Sequence, residues 1–99
     1  MTVLEPDDVD GALAERHLHW QRAEGELVKV RKGRDFADAL SFVNAVGELA
    51  EAMNHHPDVD IRWNTVTLRL STHSAGGITR SDLELAGRID SLEQPSAGQ

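Results

Sequence analysis

Three of the five histidines in this 99-residue chain fall in two short pieces, Asn54-His55-His56-Pro57 and Thr72-His73. Histidine is the side chain whose unperturbed pKa lies nearest neutrality, so a group of imidazoles is equipped to move protons or to hold a metal. Which of these it does depends on whether the two pieces meet and on what stands beside each ring.

The stretch between them bears on the first point. Val59, Ile61 and Trp63 alternate with Asp58, Asp60 and Arg62; after Asn64-Thr65, the residues Val66, Leu68, Leu70 and Thr72 alternate with Thr67, Arg69, Ser71 and His73. Two period-two runs around a short polar turn predict a β-hairpin with one buried face. With Asn64-Thr65 as a two-residue turn, Trp63 faces Val66, Ile61 faces Leu68 and Val59 faces Leu70, so apolar residues pair with one another. A one-residue slip would set Ile61 against a polar partner. Carried outward, the register puts Pro57 opposite Thr72 and His56 opposite His73, with side-chain bases about 5 Å apart on the polar face.

His55 lies beside this pair at a helix exit, and Glu51, one turn earlier on the same helical face, is placed to accept a hydrogen bond from it. Facing imidazoles repel each other as cations, whereas a carboxylate favours the protonated ring. Groups with pKa values pushed apart are the arrangement general acid–base chemistry needs. Three histidines would also suit zinc with water as a fourth ligand. Against zinc, His55 and His56 are adjacent and project in different directions, and no obvious carboxylate serves each ring from behind. Proton transfer is therefore the better reading, and no metal is expected. Asp82 reads first as a helix cap, Trp63 as a core residue on the apolar face, and Trp20 as core or subunit contact. His17 and His19 have no evident partner.

The elements that position these residues are legible in outline. Asp7 or Asp8 can cap a first helix carrying Val9, Ala12 and Leu13 at helical spacing. A β-prone piece, Leu27-Val28-Lys29-Val30, follows Trp20. Arg31-Lys32-Gly33-Arg34 reads as a solvated turn, or else runs into a second, poorly apolar strand. Asp35 with Asp38 resembles a capping box before an amphipathic helix from about Phe36 to Asn54. Its apolar positions are Phe36, Ala39, Leu40, Val43, Val46, Ala50 and Met53, and Phe42 and Leu49 widen the stripe enough to meet a second surface such as another subunit. Pro57 prevents the helix from running on. Beyond the hairpin, Ala75-Gly76-Gly77 leads to a second capping pattern, Thr79 with Asp82, and a last helix lined by Leu83, Ala86, Ile89 and Leu92.

Composition sets the outer limits. The formal charge of −7, with scattered basic residues, argues against a nucleic-acid backbone binder. Cysteine is absent, so neither disulfides nor a thiolate zinc site can form. No secretory signal opens the chain, and no apolar run approaches the ~20 residues of a membrane span. A single domain over residues 1–93 in the cytoplasm, with a disordered tail at 94–99, is expected.

At these residues the chain resembles the pterin-4a-carbinolamine dehydratase family, also known as the dimerisation cofactor of a homeodomain transcription factor. The family signature runs from an acidic residue through His-His-Pro, an aromatic and a His to an Asp. Glu51, His55-His56-Pro57, Trp63, His73 and Asp82 meet every element at the family's spacings. Ser71-Thr72-His73 and Gly77-Ile78-Thr79 also match, and weaker similarity reaches back through Asp35-Phe36 to Trp20, about four-fifths of the chain. One departure is plain: the family tends to carry aromatics on its second strand, where this chain has Arg31 and Gly33.

The resemblance implies an α+β fold in the order α-β-β-α-β-β-α, one four-stranded antiparallel sheet with three helices packed on one face. It implies a homodimer or homotetramer that dehydrates a 4a-hydroxytetrahydropterin to quinonoid dihydropterin, recycling the cofactor of aromatic amino-acid hydroxylases without a metal or redox cofactor of its own. It places His55, His56 and His73 around the pterin as catalytic groups. Asn54, Pro57, Ser71, Thr72 and Ser74 would line it, with Glu51, Trp63 and Asp82 in support. Residue type alone does not divide the acid and base roles among the histidines. The rival readings are a non-enzymatic binding, assembly or transcriptional cofactor protein on the same fold, and a metal-dependent hydrolase.

Overall fold

Proline's fixed φ suits the first position of a helix, and the first helix opens there: α1 spans Pro6–Glu15 with Glu5 as its N-cap, not Asp7 or Asp8. Those two aspartates fall in the first turn, where the helix dipole favours carboxylates. The computed structural model describes residues 2–93, so the tail expected at 94–99 lies outside the described residues. Strand β1, Gln21–Ala23, turns into β2, Glu26–Lys32, through Glu24 and Gly25, both at positive φ as a tight hairpin requires. Of the two readings of Arg31 to Arg34, Arg31 and Lys32 follow the strand and not the solvated turn, within the same strand as Leu27 to Val30. The Arg31 guanidinium lies 4.6 Å from the centre of the Phe42 ring and bonds Glu93 at 2.6 Å.

Helix α2, Phe36–Met53, is capped by Asp35, whose side chain accepts the Asp38 amide at 2.8 Å. The expected reciprocal bond is absent, because the Asp38 carboxylate takes the Arg34 amide instead. Ala39, Phe42, Val46 and Ala50 form its buried stripe, whereas Phe36 and Leu40, expected inside, are exposed. Strands β3, Asp58–Arg62, and β4, Thr65–Leu70, follow, and α3, Arg80–Ser91, closes the fold on a Thr79–Asp82 capping box. The four strands make one antiparallel sheet in the order β1-β2-β4-β3. Leu27, Val66, Leu68 and Leu70 line the face covered by the three helices, against Val9, Leu13, Leu83, Ala86 and Ile89. No helix among the described residues is long and apolar enough to cross a membrane.

The hairpin register differs from the expected one by two residues. Ile61 pairs with Val66 and Val59 with Leu68, so the turn is Trp63-Asn64, with Trp63 at φ 54. Trp63 is therefore not a core residue: it stands at the hairpin tip, 66% exposed. The ladder ends at Asp58↔Arg69, just after Pro57, which has no amide to donate. Thr72 pairs with Gly77 in an isolated bridge instead of with Pro57, and His56 and His73 are not cross-strand partners.

Candidate active site

The site is built where α2 stops. Asn54 adopts the left-handed conformation, φ 50 and ψ 44, and the His55 amide bonds back to the Ala50 carbonyl at 3.0 Å. This Schellman-type closure reverses the chain and turns the His55 ring toward the start of α3. There its Nε2 lies 2.5 Å from Asp82 Oδ1. The His55 side chain is 15% exposed and that of Asp82 is fully buried.

Asp82 has its position from the capping box: folding the carboxylate back over the first turn of α3 brings Oδ2 to the Thr79 amide at 2.9 Å. The same oxygen takes the Thr72 hydroxyl at 2.8 Å. With two donors already on Oδ2, the carboxylate is set as an acceptor, and His55 in its Nε2–H tautomer supplies a third donor to it. The Nδ1 atom of His55 is left to accept or deliver a proton elsewhere.

A second carboxylate–imidazole pair lies one residue on. His56 Nε2 is 2.5 Å from Glu51 Oε2, in a solvated setting where the two side chains are 53% and 78% exposed. The expected partner of Glu51 was His55; the left-handed residue at Asn54 turns the chain so that the next imidazole meets it instead. Each of His55 and His56 thus has the carboxylate that sequence reasoning found missing. Among the described residues, however, no group of three or more metal-binding side chains is placed to hold an ion.

His73 is exposed in the turn after β4, with no side-chain hydrogen bond among the described residues. It reaches the group through its neighbour, since Thr72 bonds the same carboxylate as His55. Asn54 and Ser74 are exposed nearby, and Pro57 and Ser71 are half-buried. Thr72, expected to line a ligand, has its buried hydroxyl committed to Asp82 and Thr79. Trp63 stands apart: the five residues of β3 lie between it and the histidine segment, about 17 Å of extended chain. Sequence reasoning missed Thr79 as anything but a cap. The capping pattern was the available signal, because it aims Asp82 into the fold.

Residues 2–92 match the family described as pterin 4 alpha carbinolamine dehydratase. A protein of Mycobacterium sp. (strain KMS), provisionally named pterin-4-alpha-carbinolamine dehydratase, is 51% identical over 92 residues, 93% of this chain and 97% of that protein. A protein of Mycobacterium tuberculosis (strain ATCC 25177 / H37Ra) with the same provisional name is 47% identical over the same shares. The crystal structure of a transcriptional coactivator/pterin dehydratase from Brucella melitensis superposes with a TM-score of 0.85 at 28% identity, over 94% of this chain and all of that one (100%). A pterin dehydratase-like protein identified as a RuBisCO assembly factor in the alpha-carboxysome shares the fold at a TM-score of 0.65 and 21% identity, over 82% of this chain and 96% of that one.

Proposed function

The chain belongs to the pterin 4 alpha carbinolamine dehydratase family, and from that premise we propose that it is a hydro-lyase that eliminates water from a 4a-hydroxytetrahydropterin by histidine acid–base catalysis. The reaction breaks the C4a–hydroxyl bond, which leaves as water after gaining a proton, and a ring N–H gives up a proton to yield quinonoid dihydropterin. One group must take a proton and another must give one, each contributing about 10²–10⁴-fold, and protons balance without a metal or redox partner.

The observation that carries this reading is the Asp82–His55 pair. A buried acceptor holding Nε2–H orients the ring, stabilises the imidazolium once it forms, and presents Nδ1 to substrate. Glu51 does the same for His56 in a solvated setting, and His73 supplies a third imidazole on the adjoining turn. Asn54, Pro57, Ser71 and Ser74 border the pterin in this reading, with Glu51 and Asp82 behind the rings. The product is a quinonoid dihydropterin, so the enzyme serves a hydroxylase that leaves its pterin cofactor as the carbinolamine. Val30, Phe36, Leu40 and Trp63 are all exposed apolar side chains; covering them in a homodimer or homotetramer fits this reading, and leaves room for a binding role beside catalysis.

Stopped-flow absorbance of 4a-hydroxytetrahydropterin breakdown, with and without the protein, tests the activity. Acceleration by the wild-type chain and its loss in His56→Ala and His73→Ala are expected. Breakdown at the uncatalysed rate in the presence of folded protein would refute the reading.

A further inference from the structure

Behind Asp82 stand two buried hydroxyls, those of Thr72 and Thr79, with Oγ1 atoms 2.7 Å apart. Their protons can be counted. Thr72 gives its single hydroxyl proton to Asp82 Oδ2, 2.8 Å away. Thr72 Oγ1 can then meet Thr79 Oγ1 only as an acceptor, and Thr79 donates. The chain runs one way, from Thr79 through Thr72 to Asp82, and the Thr79 amide adds a second bond to the same oxygen at 2.9 Å. With both threonines buried, water does not compete for these protons.

We propose that Thr79 is a positioning residue of the active site: through Thr72 its hydroxyl holds the Asp82 carboxylate as a fixed acceptor, keeps the His55 proton on Nε2, and leaves Nδ1 to exchange protons with the substrate. The proposal rests on the reading of His55 as an acid–base group of the dehydratase. Hydrogen bonds to a carboxylate favour its charged, accepting form. Without the Thr79 proton, Thr72 Oγ1 loses the bond that fixes its direction and can turn away from Asp82 Oδ2; the carboxylate is then held less firmly against Nε2, and the proton on His55 has two resting places. A hydroxyl that served only to cap α3 would affect folding and leave the ring tautomer unchanged.

Nitrogen-15 NMR of histidine-labelled protein reads which ring nitrogen carries the proton. In the wild-type chain neutral His55 is expected in the Nε2–H form alone. Thr79→Val keeps the side-chain shape and removes the hydroxyl. It is expected to add the Nδ1–H form and to lower kcat about ten- to a hundredfold, with KM within about twofold. Thr79→Ser restores both. Thr72→Val, at a position that caps no helix, is expected to behave like Thr79→Val and decides the matter if the loss of the cap unfolds that variant. A pure Nε2–H tautomer in folded Thr72→Val overturns the proposal. A mixed tautomer with unchanged kcat upholds the hydroxyl chain and refutes the assignment of His55 to proton transfer.

Discussion

His55 Nε2 and Asp82 Oδ1 are 2.5 Å apart although the two residues are 27 positions apart in the chain. The contact joins the exit of α2 to the first turn of α3, so the pair exists only once both helices have packed. One carboxylate serves the helix cap and the imidazole together. Asparagine can keep the cap through its oxygen, but its amide group then donates to Nε2 and holds His55 in the opposite tautomer, with its proton on Nδ1. Asp82→Asn is expected to lower kcat about 10²–10⁴-fold, read by stopped-flow, with a folded circular-dichroism spectrum.

The Glu51–His56 pair has the same length, 2.5 Å, but lies in water. An exposed ion pair contributes at most about 1 kcal/mol, so Glu51→Gln is expected to cost no more than about fivefold in turnover. A loss as large as that of Asp82→Asn would place the Glu51 carboxylate against the reacting atoms.

Trp63 carries left-handed backbone, φ 54, at an exposed hairpin tip. That conformation costs an ordinary side chain about 1–2 kcal/mol, and asparagine tolerates it better. Trp63→Asn is expected to leave kcat within about twofold and to gain up to about 1 kcal/mol of stability by thermal unfolding. A large loss of turnover would mean that the ring reaches a site in another copy of the chain.

Asp90 gathers three donors in the interior: the His19 amide and Trp20 Nε1 at 2.8 Å each, and Lys29 Nζ at 3.0 Å. Removing one partner of a buried ion pair leaves a charge uncompensated, at about 3–5 kcal/mol. Asp90→Ala, which strands all three donors, is expected to lose that much in urea unfolding, and Lys29→Met less.

The Arg34 backbone amide, helped by the Arg31 and Arg34 guanidinium groups, holds the Asp38 carboxyl below its ordinary range. A hydrogen bond from Arg22 does the same for Asp10. A carboxyl depressed by folding binds its proton more weakly in the folded chain than in the unfolded one. Its contribution to stability is therefore complete above about pH 4 and lost as pH falls through the folded value. Asp38→Asn is expected to flatten this acid limb when unfolding midpoints are measured against pH; an unchanged limb would contradict the assignment.

The helices are legible in the sequence because their signals are local. Asp35 opens α2, Asn54 and Pro57 bound its end, and Thr79 with Asp82 opens α3. The hairpin register is not legible in the same way. Apolar alternation tests only parity: a slip of one residue inverts the faces, whereas a slip of two keeps Val59, Ile61, Val66 and Leu68 on the same side. Asn64-Thr65 has the composition of a turn, and nothing in residue preference announces a tryptophan in the left-handed region. The histidine partners follow from the same limit. Which imidazole meets Glu51 depends on one backbone conformation at Asn54, and the His55–Asp82 contact depends on helix packing. Strand β1, three exposed residues with no periodicity, gives no signal at all.

The most direct measurement is the single-turnover rate of 4a-hydroxytetrahydropterin dehydration by His55→Gln, a variant that removes the titratable ring and keeps a polar side chain. A folded protein slowed about 10²–10⁴-fold toward the uncatalysed rate is the expected result. A folded His55→Gln protein that dehydrates the pterin at the wild-type rate would contradict the account.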